Sequence, residues 1–195
     1  MYVELTGSPG TGKSYVANSS PAGLSLEYPL NNRFLLILLE LLAIPLLLVS
    51  VRPRLLLYCV KASFSADRRM YFKLNVFRNT AKKLVFFRGA QITRVARVRV
   101  DEGVSHLPFL YGLTGEKEFV YFCDLFAGHL AKIHLIQVCS SDSLIKSRVL
   151  TRGHRRLDGE GAEQVQKFFV QNELVANHVS IIMSQYVASY KVIEN

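Results

Sequence analysis

The chain has 195 residues, half of them hydrophobic, and carries a formal net charge of +9. This length allows one domain with a substantial buried core, and the composition excludes an intrinsically disordered chain. Three cysteines without Cys-x-x-Cys spacing argue against a zinc site or a disulfide framework and are typical of a reducing environment. We therefore expect a single cytoplasmic domain over residues 1–195.

A glycine-rich segment near the amino end carries the most specific motif in the chain. Residues 7–14 read Gly-Ser-Pro-Gly-Thr-Gly-Lys-Ser and match the Walker A pattern of phosphate-binding loops. We call this segment the glycine loop. A strand is predicted before it, at residues 2–6, and a helix from Ser14 onward, which is the order that such a loop requires.

The glycine loop predicts a site for nucleotide phosphates and Mg²⁺. Backbone N–H groups and the amino end of the following helix would contact the phosphate oxygens. Lys13 would reach the outer phosphates, and the Ser14 hydroxyl would bind Mg²⁺. The predicted nucleotide-binding residues are Gly7, Ser8, Pro9, Gly10, Thr11, Gly12, Lys13, Ser14 and Tyr15.

A leucine-rich run over residues 34–51 is close to the shortest length of a transmembrane helix. A single crossing would place Ser14 and the candidate metal ligand Asp101 in different compartments. We therefore predict two helices instead, over about 33–43 and 46–60. They are expected either to be buried against the sheet or to dock on a membrane surface or protein partner.

Residues 51–100 hold thirteen of the basic residues and one acidic residue, Asp67. A helix is predicted over 67–83, with an apolar stripe at spacings of three and four. The stripe consists of Met70, Leu74, Phe77, Ala81 and Leu84. The basic residues either face an anionic acceptor or lipid or form a solvated helix face. Because no nucleic-acid-binding module is recognisable, nucleic acid is not an expected partner.

A β-rich stretch over 91–100 predicts a strand that runs into Asp101, Glu102 and Gly103. An acidic residue at the end of such a strand would lie beside Ser14, so Asp101 is the predicted second Mg²⁺ ligand. Glu102 would act as a general base, orient an acceptor hydroxyl or occupy a structural turn. Three arginines make this strand unusual for the centre of a parallel sheet.

The carboxyl-terminal half predicts alternating helices and strands. Helices are predicted over 104–111, 116–131, 142–152 and 163–178, with strands over 133–139 and within 179–193. A basic loop, Thr151-Arg152-Gly153-His154-Arg155-Arg156, follows the helix over 142–152.

This order of features resembles the P-loop kinases, in particular an uncharacterised branch of the thymidylate kinase-like group of nucleoside and nucleoside-monophosphate kinases. The resemblance rests on the glycine loop, on the Asp-Glu-Gly sequence at 101–103, and on the strand over 133–139 with the arginine-bearing helix after it. It implies a three-layer α/β P-loop NTPase fold, with a parallel sheet of about five strands flanked by helices. It also implies a lid over 148–160 that closes over ATP, with Arg148, Arg152, Arg155 and Arg156 as its catalytic arginines.

The chain also departs from that group. Its Asp-Arg-Tyr/His element for the acceptor nucleotide is absent, and residues 34–85 are interpreted as a helical insertion on the acceptor side, so the acceptor remains open. The predicted function is an ATP-dependent, Mg²⁺-dependent phosphotransferase, with Lys13 and Glu102 as further catalytic residues. The alternative is an NTPase switched by a membrane or protein partner through residues 34–60. The sequence leaves ATP and GTP both open.

Overall fold

The computed structural model describes residues 1–19, 52–65, 70–92, 98–153, 157, 159 and 161–195. In these ranges the chain forms an α/β structure in which a parallel sheet is flanked by helices. The described strands are β1 (Tyr2–Thr6), β2 (Val98–Asp101), β3 (Ile133–Cys139) and β4 (Ser189–Glu194). The described helices are α1 (Lys13–Ser19), α2 (Pro53–Ser65), α3 (Met70–Ile92), α4 (Leu107–Tyr111), α5 (Glu116–Leu130), α6 (Asp142–Arg152) and α7 (Ala162–Ile181), with short 3-10 helices at Val104–His106 and Met183–Gln185.

The four described strands follow the order β2-β1-β3-β4, and every pairing is parallel. Leu5 lies opposite Asp101 on one side and Ile136 on the other. Because the strands are parallel, their carboxyl ends meet at one edge of the sheet, which is where ligands bind in open α/β sheets. The glycine loop starts at this edge.

The hydrophobic core lies against one face of the sheet. Tyr2 and Ile133, which are register partners in β1 and β3, both belong to it. The Tyr2 ring meets Phe87 of α3 edge-on, with 4.9 Å between ring centroids. Fully buried phenylalanines of α5, including Phe119 and Phe122, extend the same core. Each such side chain contributes about 2 kcal/mol through burial, so this face fixes how α3 and α5 lie on the sheet.

The predicted helix over 46–60 is wrong in its bounds, since the described helix α2 begins at Pro53 and ends at Ser65. Proline is favoured at this position because its missing N–H would have no acceptor in the first helical turn. The predicted helix over 33–43 lies outside the described residues.

Helix α3 is longer than predicted, and it changes the assignment of the next strand. The prediction of a helix over 67–83 falls short, because α3 continues to Ile92. The strand predicted over 91–100 is therefore wrong at its start, and the described strand begins at Val98. The helix continues because its buried face continues, through Leu84 and Phe87. The apolar stripe is also wrong at its amino end, where Met70 and Leu74 are exposed.

The carboxyl-terminal half follows its predictions more closely. The strand over 133–139 and the helix over 142–152 are confirmed at both ends. The helix predicted over 163–178 extends to 162–181, and the last strand forms only at 189–194. These segments have clear apolar patterns with turn residues at their ends.

The leucine-rich run over residues 34–51 lies outside the described residues. Within the described ranges, no helix combines the length and the apolarity needed to cross a membrane. Docking of residues 34–60 on a membrane or a protein partner stays a prediction.

Candidate functional site

The glycine loop connects the end of β1 with the start of α1, and its backbone needs glycine at several positions. Gly7, Gly10 and Gly12 have φ values of +145°, +89° and +87°, a region that residues with a Cβ rarely adopt. A Cβ at Gly7 would also overlap the carbonyl oxygen of Val138 in β3. The loop backbone therefore approaches the sheet closely, and larger residues at these positions would displace it.

Lys13 is folded back onto the glycine loop. Its side chain is buried, and Nζ donates to the carbonyl oxygens of Gly7 at 3.0 Å and Ser8 at 3.1 Å. Nζ also lies 3.3 Å from Oε1 of Glu102. A lysine ammonium has three hydrogens to donate, and three oxygen atoms surround it here. The lysine charge is thus already placed inside the curve of the loop.

Ser14 and Asp101 lie side by side although they are far apart in sequence. Ser14 stands in the first turn of α1 and donates from Oγ to Oδ2 of Asp101 at 3.0 Å. Burial, followed by the neighbouring Glu102 carboxylate, raises the pKa of Asp101 above its usual value. A hydroxyl and a carboxylate oxygen are hard ligands of the kind that Mg²⁺ prefers.

These two side chains fit a magnesium site of the type that nucleotide phosphates complete. The described residues contain no group of three or more His, Cys, Asp or Glu side chains that could hold a metal ion by themselves. Mg²⁺ in phosphate-transferring sites needs only one or two protein ligands, because phosphate oxygens and water supply the rest. The Ser14 hydroxyl and the Asp101 carboxylate are therefore suitable ligands for a Mg²⁺ ion that also binds phosphate oxygens.

Glu102 follows Asp101 in a strained turn. Its φ of +60° is unusual for a residue other than glycine. Its carboxylate lies between Lys13 and Nε2 of His106, the latter at 3.5 Å. Burial alone would raise the pKa of this carboxyl, but His106, Lys13 and Lys83 outweigh burial and lower it to about 2. These contacts hold the Glu102 carboxylate in place, and its roles as a general base, as an orienter of an acceptor hydroxyl or as part of a structural turn stay predictions.

The described part of the predicted lid reaches the glycine loop through one side chain. Arg148 of α6 donates from Nη1 to the carbonyl oxygen of Gly10 at 3.3 Å. Arg152 ends α6 and is exposed. Arg155 and Arg156 lie outside the described residues. Tyr15 is 69 % exposed on α1. Of the two described arginines, the structure brings Arg148 to the loop, and the lid over 148–160 stays a prediction.

Two charged residues behind Asp101 and Glu102 were not predicted as part of the site. Glu4 is fully buried in β1 and accepts from the backbone N–H groups of Val104 at 2.9 Å and Ser105 at 2.7 Å. Lys83 of α3 donates from Nζ to the backbone carbonyl of Glu102. For Glu4, the sequence signal was an acidic residue inside a strand expected to be buried, since a buried charge needs a partner. Lys83 has no such signal, because it lies in a long basic segment.

Asn195 also contacts the glycine loop and was not predicted to do so. Its Nδ2 donates to the carbonyl oxygen of Thr11 at 2.9 Å. Its backbone N–H donates to Cys139 at 2.9 Å, which continues the pairing of β3 with β4. A Cβ at Gly12 would overlap the Asn195 amide. The end of β4 therefore lies directly against the loop.

A cavity of about 130 Å³ lies on another side of the glycine loop, between the loop, α6 and α7. Its lining includes Ser8 and Thr11 of the loop and the aromatic rings of Phe168 and Phe169. Lys13 and Ser14 are absent from the lining of this cavity. The cavity is thus separate from the Lys13–Glu102 and Ser14–Asp101 pairs.

Comparisons of this chain with protein-family models, curated proteins and solved structures found no match.

Proposed function

We propose that this protein is a Mg²⁺- and nucleotide-dependent phosphotransferase of the P-loop kinase type, with ATP as the expected donor. The contact between Ser14 and Asp101 is the observation that carries this proposal. A glycine loop alone would suit many phosphate ligands. A hydroxyl of the loop and a carboxylate of the neighbouring strand lie 3.0 Å apart. Together they supply the pair of Mg²⁺ ligands that is typical of a magnesium-nucleotide site.

The state of Lys13 supports a phosphate ligand. Its ammonium lies within the curve of the glycine loop, beside the amino end of α1. Phosphate oxygens entering there would replace the carbonyl oxygens of Gly7 and Ser8 as acceptors for Nζ. When bound, Mg²⁺ would neutralise negative charge on the phosphate oxygens. Lys13 would then complete the positive surroundings that phosphoryl transfer needs.

Glu102 and the arginines provide the remaining proposed roles. Glu102 would orient the acceptor hydroxyl, since its ionised carboxylate faces the same side as Lys13. Arg148 already donates to the glycine loop and would turn toward the transferred phosphoryl group. Arg152, Arg155 and Arg156 would add charge as the lid excludes water.

A second candidate is an NTPase whose hydrolysis is controlled by a partner. It is favoured by large apolar side chains exposed on α2 and α3, where Leu57 is 70 % and Tyr71 is 71 % exposed. Such side chains suit contact with another protein or a membrane surface. Glu102 would then position water instead of an acceptor hydroxyl.

The test combines thermal unfolding with product analysis. Mg-ATP or Mg-GTP at a hundred times its Kd should raise the unfolding free energy by about 2.7 kcal/mol. Lys13→Ala should lose this stabilisation, measured against its own ligand-free baseline, and the exposed Lys61→Ala on α2 should keep it. Transfer to a nucleoside monophosphate or another small acceptor supports the kinase, and hydrolysis alone supports the NTPase. A wild type that neither nucleotide stabilises overturns both.

A further inference from the structure

Glu4 and Lys83 hold the turn after β2 from two sides. The Glu4 carboxylate accepts from the N–H groups of Val104 and Ser105, and a Cβ at Gly103 would overlap that carboxylate. The Lys83 ammonium binds the carbonyl oxygen of Glu102. The amide side of the turn is therefore fixed by β1, and its carbonyl side by α3.

This turn needs a partner to keep its shape. Glu102 adopts a φ of +60°, which costs about 1 kcal/mol for a residue with a Cβ. Its N–H donates to the carbonyl oxygen of Leu5 at 3.0 Å, which prolongs the β1–β2 ladder. With the N–H held by β1 and the carbonyl oxygen held by Lys83, the peptide units on both sides of Glu102 are fixed. The Asp101 side chain is then directed to Ser14, and the Glu102 side chain to Lys13.

The Lys83 side chain also lies among several acidic side chains. Burial lowers the pKa of this lysine, and the nearby carboxylates of Glu102, Glu4 and Asp101 act in the opposite direction. In its protonated form Lys83 offsets the repulsion among the ionised forms of these carboxyl groups, while burial raises the pKa of Glu4. Removing Lys83 would leave the buried Glu4 carboxylate with less compensation.

We propose that Lys83 is a positioning residue for the metal-nucleotide site, which fixes Asp101 and Glu102 through the carbonyl oxygen of Glu102. This inference rests on the proposed function, because Lys83 would position Asp101, a proposed ligand of Mg²⁺, and Glu102, the proposed orienter of the acceptor hydroxyl. Lys83 itself touches neither the glycine loop nor the nucleotide in this assignment. Its effect should therefore appear in how strongly Mg²⁺ promotes nucleotide binding.

The experiment measures the Kd of ATP with and without Mg²⁺ by calorimetry, and uses the ratio of the two values. Lys83→Met removes the donor and the charge, and should lower this ratio at least fivefold while changing the Mg²⁺-free Kd less than threefold. Lys83→Gln keeps a donor for the Glu102 carbonyl and should recover part of the ratio. Lys61→Met, an exposed lysine of α2, is the matched control and should behave as wild type.

The outcomes separate this inference from the proposed function. A wild type that binds neither Mg-ATP nor Mg-GTP overturns the proposed function and this inference with it. A wild type with a clear Mg²⁺ effect, together with a folded Lys83→Met that keeps the same ratio, overturns this inference alone. If Lys83→Met does not fold, Lys83→Ala replaces it, since alanine also removes the donor and the charge and suits a helix. An unchanged ratio in that variant rejects a positioning role, and a severalfold lower ratio supports it.

Discussion

At the scale of single residues, the site depends on where each side chain leaves its strand or helix. Ser14 is in the first turn of α1 and Asp101 is the last residue of β2. The parallel β1–β2 pairing, with Leu5 opposite Asp101, brings these two positions to the same edge of the sheet. Neither side chain needs a long reach, so their contact follows from the register of the two strands.

Replacing Asp101 by asparagine keeps the shape of this contact and removes its charge. Asp101→Asn should reduce the effect of Mg²⁺ on ATP affinity at least tenfold, because an amide oxygen is a poorer Mg²⁺ ligand than a carboxylate. The Mg²⁺-free affinity should stay level or rise, since a repelling charge is lost. Calorimetric titrations with and without Mg²⁺ measure both effects, and Asp124→Asn on α5 is the control. Equal losses in both titrations would remove Asp101 from the metal site.

The strained backbone of Glu102 gives a second test at this scale. Glycine is normally less stabilising than alanine, because it leaves the unfolded chain freer. At a φ of +60° the order should reverse, with Glu102→Gly more stable than Glu102→Ala by about 1 kcal/mol. Both variants lose the carboxylate, so its ion pairs cancel in the comparison. Urea unfolding provides the measurement, and a more stable alanine variant would show that the turn is relaxed.

At the scale of helices and strands, α3 carries a test of which face enters the core. Leu84 and Leu74 lie on the same helix, but Leu84 is 1 % exposed and Leu74 is 53 % exposed. Leu84→Ala should cost about 2–5 kcal/mol of unfolding free energy, because it leaves a cavity. Leu74→Ala should change it by about 0.5 kcal/mol or less. Denaturant unfolding of both variants measures the difference, and similar losses would mean that α3 packs along a different face.

The sequence predicted those elements whose apolar pattern and end signals agree. β3 and α6 have such patterns, and so does the strand before the glycine loop. The boundary between α3 and β2 was missed because helix and strand residues follow one another there without a clear stop. Gly89 did not end the helix, and no neighbouring atom lies within 4 Å of a Cβ placed there.

The candidate site was predictable only where a motif names its residues. The glycine loop and Asp101 could be identified because fixed residue types occur at fixed spacings beside a strand. Lys83, Glu4 and Asn195 enter the site through contacts between distant segments, and no local pattern marks such contacts. The basic composition of residues 51–100 concealed Lys83 among twelve other lysines and arginines.

At the scale of the whole molecule, the described sheet should respond to ligand as one unit. The loop is attached to β1, and β1 is paired on both sides, while Asn195 after β4 contacts Thr11. Some amides of β1, β3 and β4 exchange their hydrogens only when the whole domain unfolds. Mg-ATP at a hundred times its Kd should slow the exchange of these amides by a common factor of about a hundred. Hydrogen exchange read by mass spectrometry or NMR tests this, with adenosine as the control. Slowing confined to residues 7–14 would contradict a single cooperative domain.

The position of β1 in the sheet also bears on how the chain reaches this fold during synthesis. Tyr2 pairs with Val98 and with Ile133, so β1 is synthesised well before either of its two partner strands. Pairings between such distant segments close large loops and make folding slow. The glycine loop should therefore stay unable to bind nucleotide in ribosome-bound chains until β3 has emerged, which stalled chains of increasing length can show. Nascent chains of this protein would then expose β1 until β3 has emerged, a period in which chaperones have the most to contribute.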